Sequence, residues 1–282
     1  MKNKHSVGRR VFTVIAYTVC ILLTLLSLFP FVIMIINATR STPEIQSKTI
    51  ALLPSTHLLD NVAILEGKAF DPIVGFKNSL IISVSATLLT LYFSALTAHA
   101  LVSYNWKLRQ PFFTFIMAVM MIPTQITGIG FFQFMYSIHM TNNFLPLIIP
   151  AIAAPAGVFF MRQFMLASFP MDLLEAARID GAPELYTFNR IVLPIMKPAL
   201  ATQGIFAFVT SWNALFMPMI LLTSTSKYTM PLMVQMLRGN IYQTEYGAIY
   251  LALMLTVIPL FIIYFALSKY IIAGVALGGV KG

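Results

Sequence analysis

The run Val11-Phe-Thr-Val-Ile-Ala-Tyr-Thr-Val-Cys-Ile-Leu-Leu-Thr-Leu-Leu-Ser-Leu-Phe-Pro-Phe-Val-Ile-Met-Ile-Ile36 decides the class of fold. It carries no charged residue. Coiled as a helix rising about 1.5 Å per residue, it exceeds the roughly 20 apolar residues that a bilayer core requires. Lys2, Lys4, Arg9 and Arg10 stand before it, which raises the alternative of a secretory signal. A signal's apolar core is only about 7–15 residues long and ends at a small-residue cleavage site. This run is longer, contains Pro30 and lacks a clear site of that kind. It reads as an uncleaved first span.

The rest of the chain agrees. Of its 282 residues 59% are hydrophobic and 10% charged, with mean hydropathy +0.84. A soluble domain carries roughly 25% charged residues, so most of this surface faces lipid. The net charge of +9 would suggest nucleic acid in a soluble protein. Here the basic residues flank apolar runs and report topology, so no nucleic-acid partner is expected. The single cysteine, Cys20, excludes an internal disulfide and a multi-cysteine metal site.

Six stretches are long enough to cross a bilayer: Val11–Ile36, Ser79–Tyr104, Phe112–Tyr136, Phe144–Met161, Ala199–Thr223 and Gly247–Ser268. With the amino terminus inside, the cytoplasmic segments hold twelve Lys and Arg and the outer segments six. That split obeys the positive-inside rule and puts both termini in the cytoplasm. The expected fold is all-α: a polytopic bundle of six transmembrane spans in one domain over 1–282, with a cytoplasmic loop at 168–198 and a cytoplasmic tail at 269–282. In the second span Ser83, Thr87, Thr90, Ser94 and Thr97 follow alternating steps of four and three, one stripe of a helix. A polar pathway wall and a helix-packing seam both use such a stripe, and the seam is the commoner use. Pro123, Pro146, Pro150, Pro155, Pro218 and Pro259 fall near membrane depth, where each favours a kink.

None of the nine acidic residues falls inside a proposed span. Proton- and sodium-coupled carriers commonly hold a carboxylate at that depth, so ion coupling is disfavoured. His99, the only histidine in a span, has no sequence neighbour with which to form a catalytic or metal centre, and is expected to pack. No phosphate-binding loop is present either, since Gly67-Lys68 is followed by Ala69. The chain is not expected to be an enzyme or to hold a cofactor or metal, and any ATP must be bound by another subunit.

The stretch between the fourth and fifth spans reads Ser168-Phe-Pro-Met-Asp-Leu-Leu-Glu-Ala-Ala-Arg-Ile-Asp-Gly-Ala-Pro-Glu-Leu-Tyr186, continuing to Ile191-Val-Leu-Pro194. It holds four of the nine acids and so lies in water. Its local chemistry describes two short helices. Asp172 is expected to N-cap the first with Glu175 completing a capping box. Gly181 supplies a left-handed C-terminal position, and Pro183-Glu184 suits the first turn of the second helix. Ala176 and Ala177 leave a face of little bulk. That face fits a groove on a partner, or an ordinary amphipathic interfacial helix.

Glu175-Ala-Ala-Arg-Ile-Asp-Gly181, with Ile191, Leu193 and Pro194 after it, resembles the EAA loop of ABC-importer inner-membrane permeases. Phe160-Met-Arg-Gln-Phe164, Ser211-Trp-Asn213 and the tail Tyr270-Ile-Ile-Ala-Gly-Val-Ala-Leu-Gly-Gly-Val-Lys-Gly282 resemble the carbohydrate-uptake branch. Within it the chain is similar to the smaller six-span permease of maltose-type importers, least so across 39–77. The resemblance implies a prokaryotic cell-membrane permease subunit that imports sugar or oligosaccharide, or on a second reading a polyol or glycerol phosphate. It implies coupling to the ATPase through Glu175, Ala176, Ala177, Asp180 and Gly181. The tail from Ala273 to Gly282 would reach between two cytoplasmic ATPase copies, and the outer loop near Lys227–Glu245 would face an extracytoplasmic solute-binding protein. A second homologous permease completes the pathway. Gln125, Trp212 and Asn213 are placed nearest the sugar by estimated depth, with packing an equal alternative for each.

Overall fold

The computed structural model describes residues 3–67, 70–238 and 244–279, all helix and connection, with no strand among them. Among the described residues, four helices are long and apolar enough to cross a membrane: Val11–Asn37, Pro72–Ser103, Leu145–Ser168 and Tyr246–Ala266. A fifth candidate is a bent pair, Glu184–Ile195 with Lys197–Trp212, at 80°. The molecule is thus an all-α membrane bundle. Its chain divides into two compact units, residues 1–70 with 234–257, and residues 71–233 with 258–282.

The first unit contains α1 (Asn3–Asn37), α2 (Thr42–Ser47), α3 (Leu58–Glu66) and the first part of the long last helix. Helix α1 passes through Pro30 without a break. Buried Asn61 joins the turn after it, its amide donating to the carbonyls of Ala38 (2.9 Å) and Arg40 (3.0 Å). Gly247 lies so close to that turn that a Cβ there would collide with the Arg40 carbonyl and the Asn61 amide. The Glu44 carboxylate accepts from the Ser41 amide (3.1 Å) and the Ser55 hydroxyl (3.1 Å).

The second unit is built on α4 (Pro72–Ser103). Its start is chemically explicit: Asp71 Oδ1 accepts from the amides of Ile73 (3.0 Å) and Val74 (3.1 Å), and Pro72 fills the first turn. The hydroxyl stripe of α4 is a packing seam for α8 (Pro155–Ser168). A Cβ on Gly157 would overlap Ser94 Oγ and lie 3.4 Å from Thr90 Cγ2. Thr90 Oγ1 donates to the Ala151 carbonyl at 3.0 Å, and Ser83, Thr90 and Ser94 are buried. Small side chains thus let two backbones approach, as helix pairs in lipid require.

Prolines break the expected spans more often than they kink them. The stretch expected as a third span separates into α5 (Arg109–Val119) and α6 (Thr124–Ser137), with Pro123 immediately before α6. The fourth comprises α7 (Leu145–Ile148), a 3₁₀ turn Ile149–Ile152 and α8, with Pro146, Pro150 and Pro155 each in the first turn of its piece. The fifth becomes α12 (Lys197–Trp212) and α13 (Phe216–Leu221). A proline lacks the donor that would continue the preceding ladder, so the third and fourth stretches restart at theirs. The break between α12 and α13 falls instead at residues 213–215, ahead of Pro218, which lies inside α13. Pro259, like Pro30 in α1, lies inside an unbroken helix.

The end of α13 is fastened by Asn142, whose φ of 52° is in the left-handed region that Asn tolerates. Its Oδ1 accepts from the amides of Thr223 and Ser224, both at 3.2 Å, and Lys227 Nζ donates to its carbonyl at 2.5 Å. From α4, Asn78 donates to the carbonyls of Ser226 and Tyr228, both at 3.0 Å.

Candidate functional site

The loop at 168–198 folds as α9 (Asp172–Ile179), α10 (Glu184–Thr187), a π-helical turn Phe188–Val192 and α11 (Leu193–Ile195), which leads into α12. Helix α9 is anchored by Leu174, 1% exposed, in a core with Phe169, Met161, Met165, Phe188, Val192 and Met196. Burying a leucine contributes about 1.5–3 kcal/mol, enough to fix the orientation of an eight-residue helix.

The start of α9 corrects the capping expectation. Asp172 is the first helical residue and makes no side-chain cap bond, with Met171 preceding it. The Pro170-Met171 turn supplies carbonyls instead: Leu173 donates to Pro170, and Leu174 and Glu175 to Met171, at 2.9–3.3 Å. Asp172 and Glu175 remain in the first turn, where carboxylates favour the helix dipole. At the other end the expectation holds. Gly181 has φ +72°, its amide donates to Arg178 (3.0 Å), and the Ala182 amide to Ala177 (3.0 Å). These two bonds are the Schellman closure of a helix.

The two alanines face opposite ways. Ala177 is buried beside Leu174, whereas Ala176, Glu175, Asp180 and Gly181 are exposed. Ile179 is 86% exposed, and Leu185 and Tyr186 of α10 are also bare. The exposed side of the loop therefore mixes carboxylates with small and large apolar groups.

A cluster that the sequence did not announce ties this loop to the end of α4. The Tyr104 hydroxyl donates to the Glu184 carboxylate. Arg178 stacks its guanidinium 4.9 Å from the Tyr104 ring centre, sets Nε 3.5 Å from Glu184 Oε1, and donates to the Ser103 carbonyl at 3.1 Å. The buried His99 ring meets Tyr104 edge-on at 5.5 Å and stacks on Phe188 at 5.5 Å. Its Nδ1 and Ser103 Oγ share a hydrogen bond of 2.8 Å. His99 is thus enclosed by aromatic rings, as a packing histidine would be. Partners separated by about 75 to 80 residues leave no local signal in a sequence.

The residues expected near the cargo separate. Trp212 is 1% exposed, stacked on Phe208 at 5.6 Å and tilted against Phe76 at 6.0 Å. Asn213 ends α12 and Gln125 begins α6, both exposed. The two breaks converge: a Cβ on Gly128 of α6 would lie 2.6 Å from the Phe216 ring and 2.8 Å from Met217, at the start of α13.

Fold and loop together define a polytopic helical membrane protein with a structured loop between two of its helical segments closing back on its bundle. Residues 90–276 match the family described as binding-protein-dependent transport system inner membrane component. The chain is 35% identical to an arabinooligosaccharides transport system permease protein of Halalkalibacterium halodurans, over 91% of this chain and 92% of that one. It is 32% identical to a lactose transport system permease protein of Rhizobium radiobacter, over 98% and 99% of the two chains. An sn-glycerol-3-phosphate transport system permease protein of Salmonella typhi is 29% identical over 95% and 97%. In fold, the chain superposes on a bacterial ABC transporter involved in alginate import, with a TM-score of 0.76, 22% identity, and coverage of 94% and 98%. The chain belongs to the family of binding-protein-dependent transport system inner membrane components. It is a transport permease of the membrane.

Proposed function

We propose that this chain is the sugar- or oligosaccharide-translocating permease subunit of an ATP-driven importer in a prokaryotic cell membrane. It crosses six times with both termini in the cytoplasm, and its whole length acts as one permease domain. A second homologous permease, two copies of a cytoplasmic ATPase and an extracytoplasmic solute-binding protein complete the machine. The observation that carries this reading is α9: a Schellman-closed helix, anchored by Leu174, that holds Glu175, Ala176, Asp180 and Gly181 toward water. These residues, with Ala177 setting the close approach to the bundle, are its ATPase-coupling positions. The tail from Ala273 is helical to Gly279, and Val280, Lys281 and Gly282 lie outside the described residues, as do 239–243 of the outer loop.

The path is assigned to the side where the breaks before α6 and after α12 meet. Broken backbone at membrane depth is tolerated where it lines water or is covered by protein, not where it faces lipid. Gln125 and Asn213 stand at those two breaks and offer hydrogen bonds to sugar hydroxyls, while Trp212 is packed against Phe208 and Phe76. The glycerol-phosphate relative favours a second cargo reading. Calorimetry of the partner binding protein against arabinooligosaccharides, lactose and glycerol 3-phosphate tests the cargo. Uptake into proteoliposomes, with ATP and with or without an ionophore, tests the drive. Tight binding of glycerol 3-phosphate alone overturns the sugar, and ionophore-sensitive uptake without ATP overturns the pump.

A further inference from the structure

We propose that Tyr104 is the positioning residue through which movement of α9 and α10 is delivered to α4. The inference rests on reading α9 as the coupling helix and adds the route by which its displacement enters the bundle. Arg178 and Glu184 lie on opposite sides of the Gly181 turn, one in the last turn of α9 and the other in the first turn of α10. Both side chains close on Tyr104, the first residue beyond α4. The three form a ring of contacts, since Arg178 also lies against Glu184. Arg178 further donates to the carbonyl of Ser103, one of the last-turn carbonyls that a helix leaves without an internal partner. A cation there also favours the α4 dipole.

The inner side of the same tyrosine is held as well. Its ring meets His99, one turn back in α4, and His99 stacks on Phe188 of the π-helical turn that follows α10. The end of α4 is therefore gripped from outside by the loop's charged pair and from inside by the aromatic stack. An exposed ion pair alone transmits little, because water replaces it at small cost. Here the pair is joined to a ring, a hydroxyl and a helix-end carbonyl, so α9 and α10 cannot shift together without carrying the end of α4. The buried Leu174 core fixes α9 to the bundle generally, whereas the Tyr104 cluster addresses α4 alone.

The test uses the intact transporter, with both permeases, the ATPase and the binding protein in nanodiscs. A nitroxide is placed on exposed Leu88 of α4 (Leu88→Cys with Cys20→Ala), and Mn(II)–ATP serves as the second paramagnetic centre. The nitroxide–manganese distance is read in the resting and vanadate-trapped states. In the parent chain the two states should give two distances. Tyr104→Phe keeps the ring under Arg178 but removes the hydroxyl, and should shrink the shift; Tyr104→Ala should abolish it while vanadate trapping persists. Glu184→Ala combined with Tyr104→Phe should be no worse than the stronger single variant, because both remove one contact. Gly181→Leu is run alongside. If Gly181→Leu abolishes the shift and Tyr104→Ala leaves it intact, the Tyr104 route is wrong and the coupling loop stands. If Gly181→Leu leaves the shift intact, the coupling loop itself is wrong.

Discussion

At the scale of single residues, Gly181 separates two effects that a sequence runs together. Its φ of +72° resists any side chain, at a cost of roughly 1–2 kcal/mol. Yet a Cβ there meets nothing within 4 Å, so a larger residue fits the chain itself. Gly181→Leu should therefore insert and assemble at normal membrane levels, while ATP hydrolysis stops responding to the loaded binding protein. Uptake equal to the parent chain at matched levels would remove the loop from the coupling role. Glu44 supplies a residue with a pH signature. The Ser41 amide, and after it the Ser55 hydroxyl, hold its carboxyl below the ordinary value. A lowered folded pKa means the carboxylate stabilises its turn at neutral pH, and that contribution is lost as pH falls through the folded value. Amide exchange at Ser41, corrected for its intrinsic pH dependence, should rise on acidification in the parent chain and stay flat in Glu44→Gln.

Among the elements, what could be read in advance was whatever neighbours in sequence decide. The apolar run of α1, the Asp172–Ile179 helix and the left-handed Gly181 all follow from local pattern. The cap of α9 did not, because a turn carbonyl at Met171 did the work expected of the Asp172 side chain. The broken helices show a related limit. A window of hydropathy sees Phe112–Tyr136 as one apolar stretch, while Pro123 removes the donor that would continue the ladder, and the helix restarts. Trp212 was legible as an aromatic at depth, but its burial between Phe76 and Phe208 depends on residues far away in the chain. For α9 itself the anchor is explicit. Leu174→Ala should cost about 2–5 kcal/mol and lower the thermal midpoint of the detergent-purified chain, whereas Ile179→Ala on the bare side should leave it unchanged.

For the whole molecule, the arrangement of spans is open to direct labelling. In a Cys20→Ala background, His5→Cys should react with an impermeant maleimide only from the cytoplasm. Leu53→Cys, on a strongly exposed residue, should react only from outside. The twelve-to-six division of basic residues motivates that orientation. The opposite pattern would overturn the six-span reading with its amino terminus inside.

The interrupted backbone around Pro123 and Asn213 has a consequence for how the protein is made. Interruptions at membrane depth leave peptide groups that hydrocarbon cannot solvate, each costing several kcal/mol until protein or water covers it. A chain released into the bilayer by itself would carry those exposed seams until the second permease proposed above covered them. In cells making this subunit without that companion, pulse-chase should show rapid removal by membrane proteases. Co-expression should lengthen its lifetime, so its abundance is set by the supply of its partner.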